Sequence, residues 1–97
     1  DLTEAVLTDA QLKRVKLYRA QLNNANLAYA DLAEVNLKAA VLIGANLEGA
    51  LLTKADLRRA NLDRANLKAA ELSNAQMRGA ILCNTTMPDG SVIYSGC

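Results

Sequence analysis

A five-residue periodicity of leucine and alanine runs through this chain from residue 2 to residue 82. Every position in this range whose number ends in 2 or 7 is leucine, except Met77. Positions whose number ends in 5 or 0, from 5 to 80, are alanine except Val15 and Val35. A phase kept over so many steps indicates an internal repeat, and the repeat limits the folds open to the chain.

The five-residue period excludes both an α-helix and a flat β-strand. A helix turns about 100° per residue, so successive leucines would lie about 140° apart around its surface. Side chains of a strand alternate, so successive leucines would point to opposite faces of a sheet. A closed coil with short sides meets the requirement, because each side can turn one Leu and the preceding Ala inward. Stacked coils would pair their backbones about 4.8 Å apart and bury their leucines against one another.

The repeated unit consists of Ala, then Asp or Asn, then Leu, then two mostly polar residues. It is clearest in the segments AQLNNANLAYADL (20–32) and ADLRRANLDRANLKAA (55–70). These segments resemble the pentapeptide-repeat family of the cyanobacterial and plastid type. The resemblance covers roughly residues 1–85 and implies an all-β fold, a right-handed quadrilateral β-helix with a little over four 20-residue coils. Family members often have Phe at the central position, which is Leu or Met in this chain.

The Asp/Asn position of the unit is not uniform. Apolar residues or lysine replace it at five places, where the corner lacks a side chain that favours hydrogen bonding to nearby backbone. These residues are Val6, Lys16, Val41, Leu51 and Ile81.

The sequence predicts a single domain, with the repeat region at 1–85 and a C-terminal capping tail at 86–97. The tail contains a Pro-Asp-Gly turn followed by a short β-like segment. Four of its apolar side chains are expected to cover the last leucine ring, namely Met87, Val92, Ile93 and Tyr94. The alternative is that the tail is a linker.

The two cysteines, Cys83 and Cys97, flank this turn. A tail folded back on the last coil would bring their Cα atoms within the ~4.4–6.8 Å that a disulfide requires. A disulfide would indicate an oxidising compartment, and some family members reside in the thylakoid lumen. The alternative is a pair of free thiols in a cytosolic protein. Localisation is therefore left open between the cytoplasm and, with a disulfide, the thylakoid lumen or periplasm.

Charge is nearly balanced over the chain, with eleven basic and ten acidic residues. This balance gives neither the strong positive field of a DNA-binding protein nor the acidic excess of a DNA mimic. Residues twenty apart should lie one above another, and the face centred on Leu17, Leu37 and Leu57 then collects positive charge around one acid, Asp56. We call the following residues the basic strip, a candidate partner-binding surface: Lys16, Tyr18, Arg19, Lys38, Arg58, Arg59 and Arg78. The alternative is a chance skew in how four faces divide the charges.

An apolar contact patch is a second candidate. Val41 and Ile43 are expected to point outward at mid-height of one face, with Leu51 on a neighbouring face. The alternative is that these are ordinary surface residues with a preference for β-structure.

Catalytic chemistry has little support in the composition. The chain contains no His, which is the commonest general base and a frequent metal ligand. It shows no phosphate-binding loop, dinucleotide motif or nucleophile elbow, and no run of ~18 apolar residues. The sequence therefore predicts a protein that is not an enzyme, with no catalytic, metal or cofactor site, no nucleic-acid partner and no membrane span.

Three functions remain as hypotheses. The first is a binding or scaffold module whose outer faces contact a protein partner. The second is a DNA-mimic inhibitor or protector of DNA gyrase, which the near-neutral charge disfavours. The third is a structural subunit or fragment that stacks end to end, as in a homodimer, through an uncapped first coil. That coil would expose Leu2, Leu7, Leu12 and Leu17, unless a capping segment precedes it.

Overall fold

The computed structural model describes residues 1–94 and Cys97, which form a four-sided parallel β-helix followed by a short hairpin. Backbone bridges join residues twenty apart, from Val6–Asn26 to Asn66–Thr86, and all of them are parallel. Because each side takes five residues, a coil of twenty has four sides. The coil predicted from the leucine period is thus confirmed.

A tight turn forms each corner of the coil. In a typical turn, the Ala45 N–H donates to the Leu42 carbonyl at 3.0 Å. The residue before the alanine has a positive φ, as at Lys54 and Arg59, where φ is 60°. This position of a type II turn favours Gly or Asn, and another residue there costs on the order of 1 kcal/mol. Packing and coil-to-coil hydrogen bonds must therefore compensate a cost that recurs along the chain.

Coil-to-coil hydrogen bonds run in both directions along the stack. The Leu42 N–H donates to the Asn61 carbonyl in the next coil at 2.7 Å. The Asn61 N–H donates back to the Ala40 carbonyl at 2.9 Å. This pattern repeats around the coils. It gives hydrogen-bond partners to backbone N–H and carbonyl groups that lie beside the buried leucines and cannot reach water.

Asp and Asn side chains secure the corners. Their Oδ1 atoms accept a hydrogen bond from the N–H two residues later, at 3.0–3.1 Å. The residues that do this in the middle of the chain are Asn26, Asp31, Asn36, Asn46, Asp56, Asn61 and Asn66. Val41 and Leu51 occupy the same position and have no such acceptor, as expected from the sequence.

The core is a column of leucine rings lined by alanine. Every leucine at the central position from Leu22 to Leu67 is fully buried. Leucines nearer the ends, such as Leu7 and Leu72, pack against the core but remain partly exposed. Each fully buried leucine contributes roughly 2 kcal/mol of transfer free energy, so the middle coils hold most of the hydrophobic stabilisation.

The tail forms a hairpin of two short strands, β1 (Thr85–Thr86) and β2 (Val92–Ile93), which pair antiparallel. The Gly90 N–H donates to the Met87 carbonyl at 2.8 Å, and Gly90 has a φ of 88°. A turn followed by a left-handed glycine is a common hairpin connection. The twenty-residue register continues into this turn, because the Ala69 N–H donates to the Pro88 carbonyl at 2.9 Å.

The tail covers the end of the helix less completely than predicted. Met87 packs against the core, and Ile93 is partly buried. Val92 and Tyr94 are 43% and 64% exposed, so the prediction that they cover the last leucine ring is wrong. The reason is that β2 pairs with β1 as its neighbour in a sheet, and successive side chains of a strand point to opposite faces. Val92 and Tyr94 therefore share the exposed face, whereas Ile93 points to the other. Thr85 is instead fully buried, and its Oγ1 donates to the Leu62 carbonyl at 2.7 Å.

A disulfide joins Cys83 and Cys97, whose Cα atoms are 4.8 Å apart. Of the two alternatives left by the sequence, the structure therefore has the covalent one. The bond connects the end of the chain to the residue two positions before β1.

Candidate interaction surface

The coil places the residues of the basic strip in vertical columns. Tyr18, Lys38, Arg58 and Arg78 occupy the same turn position in successive coils, since they are twenty residues apart. Neighbouring coils lie about 4.8 Å apart, so these cationic groups begin at closely spaced points on the surface. Side chains at this turn position point away from the leucine column.

A groove of about 380 Å³ lies on this face. Four residues of the basic strip line it, together with Gly79, which the sequence analysis did not single out. The four are Lys38, Arg58, Arg59 and Arg78. The other three members of the strip, which precede Lys38 in the chain, do not line the groove. They are Lys16, Tyr18 and Arg19.

Gly79 lies directly above Arg59, one coil further along the chain. A Cβ at Gly79, where φ is 75°, would lie 3.1 Å from Cγ of Arg59. The glycine therefore leaves room for the Arg59 side chain to lie across it. The signal for Gly79 was available in the sequence, because it is twenty residues from Arg59.

Arg58 is held by the one acid of this face. Its Nε donates to Oδ1 of Asp56 at 2.9 Å, and its Nη2 donates to Oδ2 at 2.7 Å. The hydrogen bond from Arg58 lowers the pKa of Asp56, and Asp56 in turn raises the pKa of Arg58. Asp56 is thus paired with Arg58, and Lys38 adds a weaker attraction to the same carboxylate.

The remaining cations of the groove lie beyond ion-pair distance of every carboxylate in the described part of the chain. Within residues 1–94 and Cys97, the ion pairs are Arg14–Glu34, Arg58–Asp56 and Arg64–Asp63. Lys38, Arg59 and Arg78 belong to none of them. The groove consequently presents three cations outside any described ion pair around one oriented guanidinium group, and Asp56 attracts one of them, Lys38, over a longer distance.

An aromatic residue extends the strip toward residue 1. Tyr18 is 51% exposed, and the guanidinium carbon of Arg19 lies 5.7 Å from the centre of its ring. This geometry is that of a cation–π contact. Tyr18 and Arg19 therefore offer a flat contact surface beside the basic groove.

The structure does not support a continuous apolar contact patch. Val41 and Ile43 are partly buried, whereas Leu51 is 43% exposed. Ten residues, half of a twenty-residue coil, separate Val41 from Leu51, so they lie on opposite sides of the helix. The prediction that Leu51 sits on a neighbouring face is wrong.

Replacing Asp56 with asparagine is expected to reduce the acid sensitivity of the fold. The folded-state pKa of Asp56 lies below its ordinary value of 3.8, so its ionised form stabilises the fold above about pH 4. That contribution is lost as the pH falls through the folded-state pKa. Asparagine keeps an Oδ1 acceptor for the Arg58 N–H but cannot ionise.

Urea unfolding at pH 6, 4 and 3 measures this effect. The wild type should lose more stability than Asp56→Asn over this range. Asp31→Asn serves as the matched control, because Asp31 accepts the same type of backbone hydrogen bond but has no arginine partner. Parallel losses in all three proteins would contradict the assignment.

Neither a membrane span nor a metal cluster is visible in the described residues. No helix there has the length and apolar character needed to cross a bilayer. No group of three or more His, Cys, Asp and Glu side chains in residues 1–94 and 97 is arranged to hold a metal ion.

Comparison with known families identifies the repeat. The profile for pentapeptide repeats, eight copies long, matches residues 20–59, 30–68 and 45–84. The chain therefore belongs to the pentapeptide-repeat family, whose members fold as right-handed quadrilateral β-helices. The fold class implied by the sequence resemblance is confirmed.

Two solved structures from a cyanobacterium are similar to this chain. The pentapeptide-repeat protein alr5209 from Nostoc PCC 7120 is 36% identical, with a TM-score of 0.81 over 82% of this chain and 66% of that one. HetL, a pentapeptide-repeat protein involved in heterocyst differentiation regulation in Nostoc sp. PCC 7120, is 32% identical, with a TM-score of 0.55 over 95% of this chain and 51% of that one. The chain thus spans about half to two thirds of these relatives. A search of curated proteins finds no match.

Proposed function

We propose that this protein is a non-enzymatic binding module whose basic strip contacts an acidic segment of a protein partner. The observation that carries the proposal is the groove in which Lys38, Arg58, Arg59 and Arg78 converge from three successive coils. Most members of the family have no assigned biochemical role from which a function could be transferred to this chain. The proposal therefore rests on the outer surface of the helix.

The electrostatics of the strip favour an anionic partner. Its stacked cations repel one another, and among the described residues only Arg58 of the strip has a carboxylate within ion-pair distance. A bound acidic segment would replace this repulsion with charge-assisted hydrogen bonds, which arginine forms in a bidentate manner with carboxylates. Complementary charge would also speed the encounter of the two proteins.

The coil scaffold suits such a role. Backbone hydrogen bonds hold Arg59 and Arg78 in adjacent coils, since the Arg59 N–H donates to the Arg78 carbonyl at 2.9 Å. The backbone positions of the basic residues are thus fixed before a partner arrives. A preformed arrangement reduces the entropy lost on binding.

Two other functions stay predictions. A DNA mimic that acts on gyrase needs a negative surface, whereas the most coherent strip of this chain is positive. End-to-end stacking would use leucines such as Leu2 and Leu7, which are partly exposed. Sedimentation at increasing protein concentration tests stacking, and a supercoiling assay tests gyrase inhibition.

Charge reversal in the strip is expected to abolish capture of the partner. The triple variant Arg58→Glu, Arg59→Glu and Arg78→Glu changes the local charge by six units without touching a buried leucine. Tagged wild-type and variant proteins would be used to capture partners from an extract of the source organism. At least one protein should be retained by the wild type and lost by the variant, and it should bind again as a purified component.

A matched control distinguishes an effect of the basic strip from an effect of the net charge of the protein. The variant Lys13→Glu, Arg14→Glu and Lys54→Glu makes the same change in charge with exposed residues on a neighbouring face. It should retain the partner. Asp56→Asn removes the one negative charge of the strip and should strengthen capture. Identical partner sets for all four proteins would overturn the proposal.

A further inference from the structure

We propose that the groove formed by Lys38, Arg58, Arg59, Arg78 and Gly79 receives the phosphoryl group of a phosphorylated side chain on the partner. This inference rests on the proposed function and names the chemical group that the strip recognises. It is drawn from the charge, the hydrogen-bond donors and the shape of the groove.

Charge is the first argument. Lys38, Arg59 and Arg78 form no ion pair among the described residues, and Asp56, the one acid of this face, is paired with Arg58. The four cations of the groove exceed the single negative charge of Asp56 by three, and one further carboxylate would neutralise only one of these charges. A phosphomonoester carries about −1.5 to −2 charges near pH 7 and brings three strong acceptor oxygens. It therefore matches the local excess of charge better than an Asp or Glu side chain.

The donors are the second argument. Arg58 uses its Nε and Nη2 groups for Asp56, so Asp56 leaves Nη1 on the far edge of the guanidinium group for a ligand. Arg59 and Arg78 form no ion pair among the described residues and can each present two parallel N–H groups. Bidentate contacts of this type are the strongest that arginine makes to phosphate. Lys38 adds a flexible ammonium group on the same column.

The shape of the groove is the third argument. Gly79 forms part of its lining, and a Cβ there would press on the Arg59 side chain. The turn itself does not require glycine, because Ala39 and Arg59 occupy the same position in the two preceding coils, each with a φ of 60°. Glycine suits the positive φ of this turn, and at Gly79 it also leaves the Arg59 side chain in place at the groove, where an oxyanion can approach.

The test uses three labelled peptides that differ at one position. Each is a short flexible Gly-Ser peptide with flanking Glu residues, and the central residue is phosphoserine, glutamate or serine. Fluorescence anisotropy at about 50 mM and about 200 mM salt measures their affinities and separates screened from close contacts. The phosphoserine peptide should bind about tenfold more tightly than the glutamate peptide, a difference of about 1.4 kcal/mol.

Neutral variants identify the residues responsible. Arg59→Gln and Arg78→Gln remove a cation while keeping an exposed polar side chain, and each should abolish the preference for phosphoserine. Gly79→Ala should weaken phosphoserine binding, because its Cβ displaces Arg59. Gly49→Ala is the control for backbone strain and a displaced neighbour, since Gly49 has a similar positive φ of 66° and its Cβ would displace the exposed Tyr29 side chain on another side instead of a cation. It should bind as the wild type does, and circular dichroism verifies that each variant is folded.

The outcomes separate this inference from the proposed function. Equal affinity for the phosphoserine and glutamate peptides would overturn the phosphoryl site and leave the acidic partner proposal standing. A loss of phosphoserine preference equal in Gly49→Ala and Gly79→Ala would also overturn it. Inorganic phosphate or a single-stranded oligonucleotide that competes at concentrations equal to the phosphopeptide would show a free anion or nucleic-acid site instead. Failure of the charge-reversal capture experiment, with phosphoserine preference retained, would overturn only the protein-partner proposal.

Discussion

Replacement of Leu47 by alanine is expected to lower the free energy of unfolding by about 3–5 kcal/mol. Leu47 is fully buried in the middle of the leucine column, between Leu27 and Leu67 in the coils on either side. Removing most of its side chain loses transfer free energy and leaves a cavity. The coils cannot close that cavity by moving together, because backbone hydrogen bonds fix their separation, as between the Leu47 N–H and the Asn66 carbonyl at 2.7 Å.

Leu7→Ala provides the control, because Leu7 lies in the same column and is chemically identical. It is partly exposed in the first coil, so its replacement should cost only about 1–2 kcal/mol. Urea unfolding followed by circular dichroism gives both values. Equal losses at the two positions would show that the end coil is as well packed as the middle of the column, contrary to the burial described above.

The architecture was predictable because it depends on one phase. Once the leucines are known to recur every five residues, the inward positions follow for the whole repeat region, and both Leu47 and Ala45 are buried as expected. The handedness of the coil does not follow from the period, since a left-handed coil has the same repeat. It came from the family resemblance. In a repeat protein the inward positions can be predicted without knowing the handedness, because each coil contacts only its neighbours.

The basic strip was partly predictable for the same reason. Residues twenty apart stack, so the column of Lys38, Arg58 and Arg78 could be derived by counting. Which cation is neutralised depends on side-chain rotamers, and the pairing of Arg58 with Asp56 therefore needed the structure. Leu51 was misplaced through an error in the same counting, because ten residues take the chain through two corners.

Gly79 was not predicted as part of the surface, because a glycine has no side chain that could mark it as a contact residue. A glycine contributes to a surface through the atoms it lacks, and its effect appears only when the neighbour one coil away is identified. At Gly79 that neighbour is Arg59. At Gly49 it is Tyr29, so the two glycines serve different side chains despite equivalent turns.

The tail was the least predictable region, because it has no repeat to fix the direction of its side chains. Apolar character alone suggested that Val92 and Tyr94 would be buried, but both are exposed. Strand pairing determined the outcome, since β2 aligns with β1 at the edge of the last coil. Thr85 replaces the expected alanine and buries a hydroxyl group, which is tolerated because it donates to the Leu62 carbonyl.

Reduction of the Cys83–Cys97 disulfide is expected to lower the free energy of unfolding by about 3 kcal/mol. The cysteines are fourteen residues apart, and the bond restricts this loop in the unfolded chain. The hairpin it encloses has strands of only two residues each, and so short a pair is marginal in water without further support. Loss of the bond should therefore release the tail first and then weaken the packing of Met87 on the core.

Urea unfolding with and without a thiol reductant measures this loss, and the double variant Cys83→Ser and Cys97→Ser is the control. The variant should match the reduced wild type and should not respond to reductant, which separates bond cleavage from other effects of the reagent. Hydrogen exchange locates the change: the amides of Met87 and Gly90, which bond within the hairpin, should lose protection before that of Ala45 in the middle coils. An unfolding midpoint that reduction leaves unchanged would mean that the coils hold the tail without the covalent bond, and the stability of this protein would then not depend on an oxidising compartment.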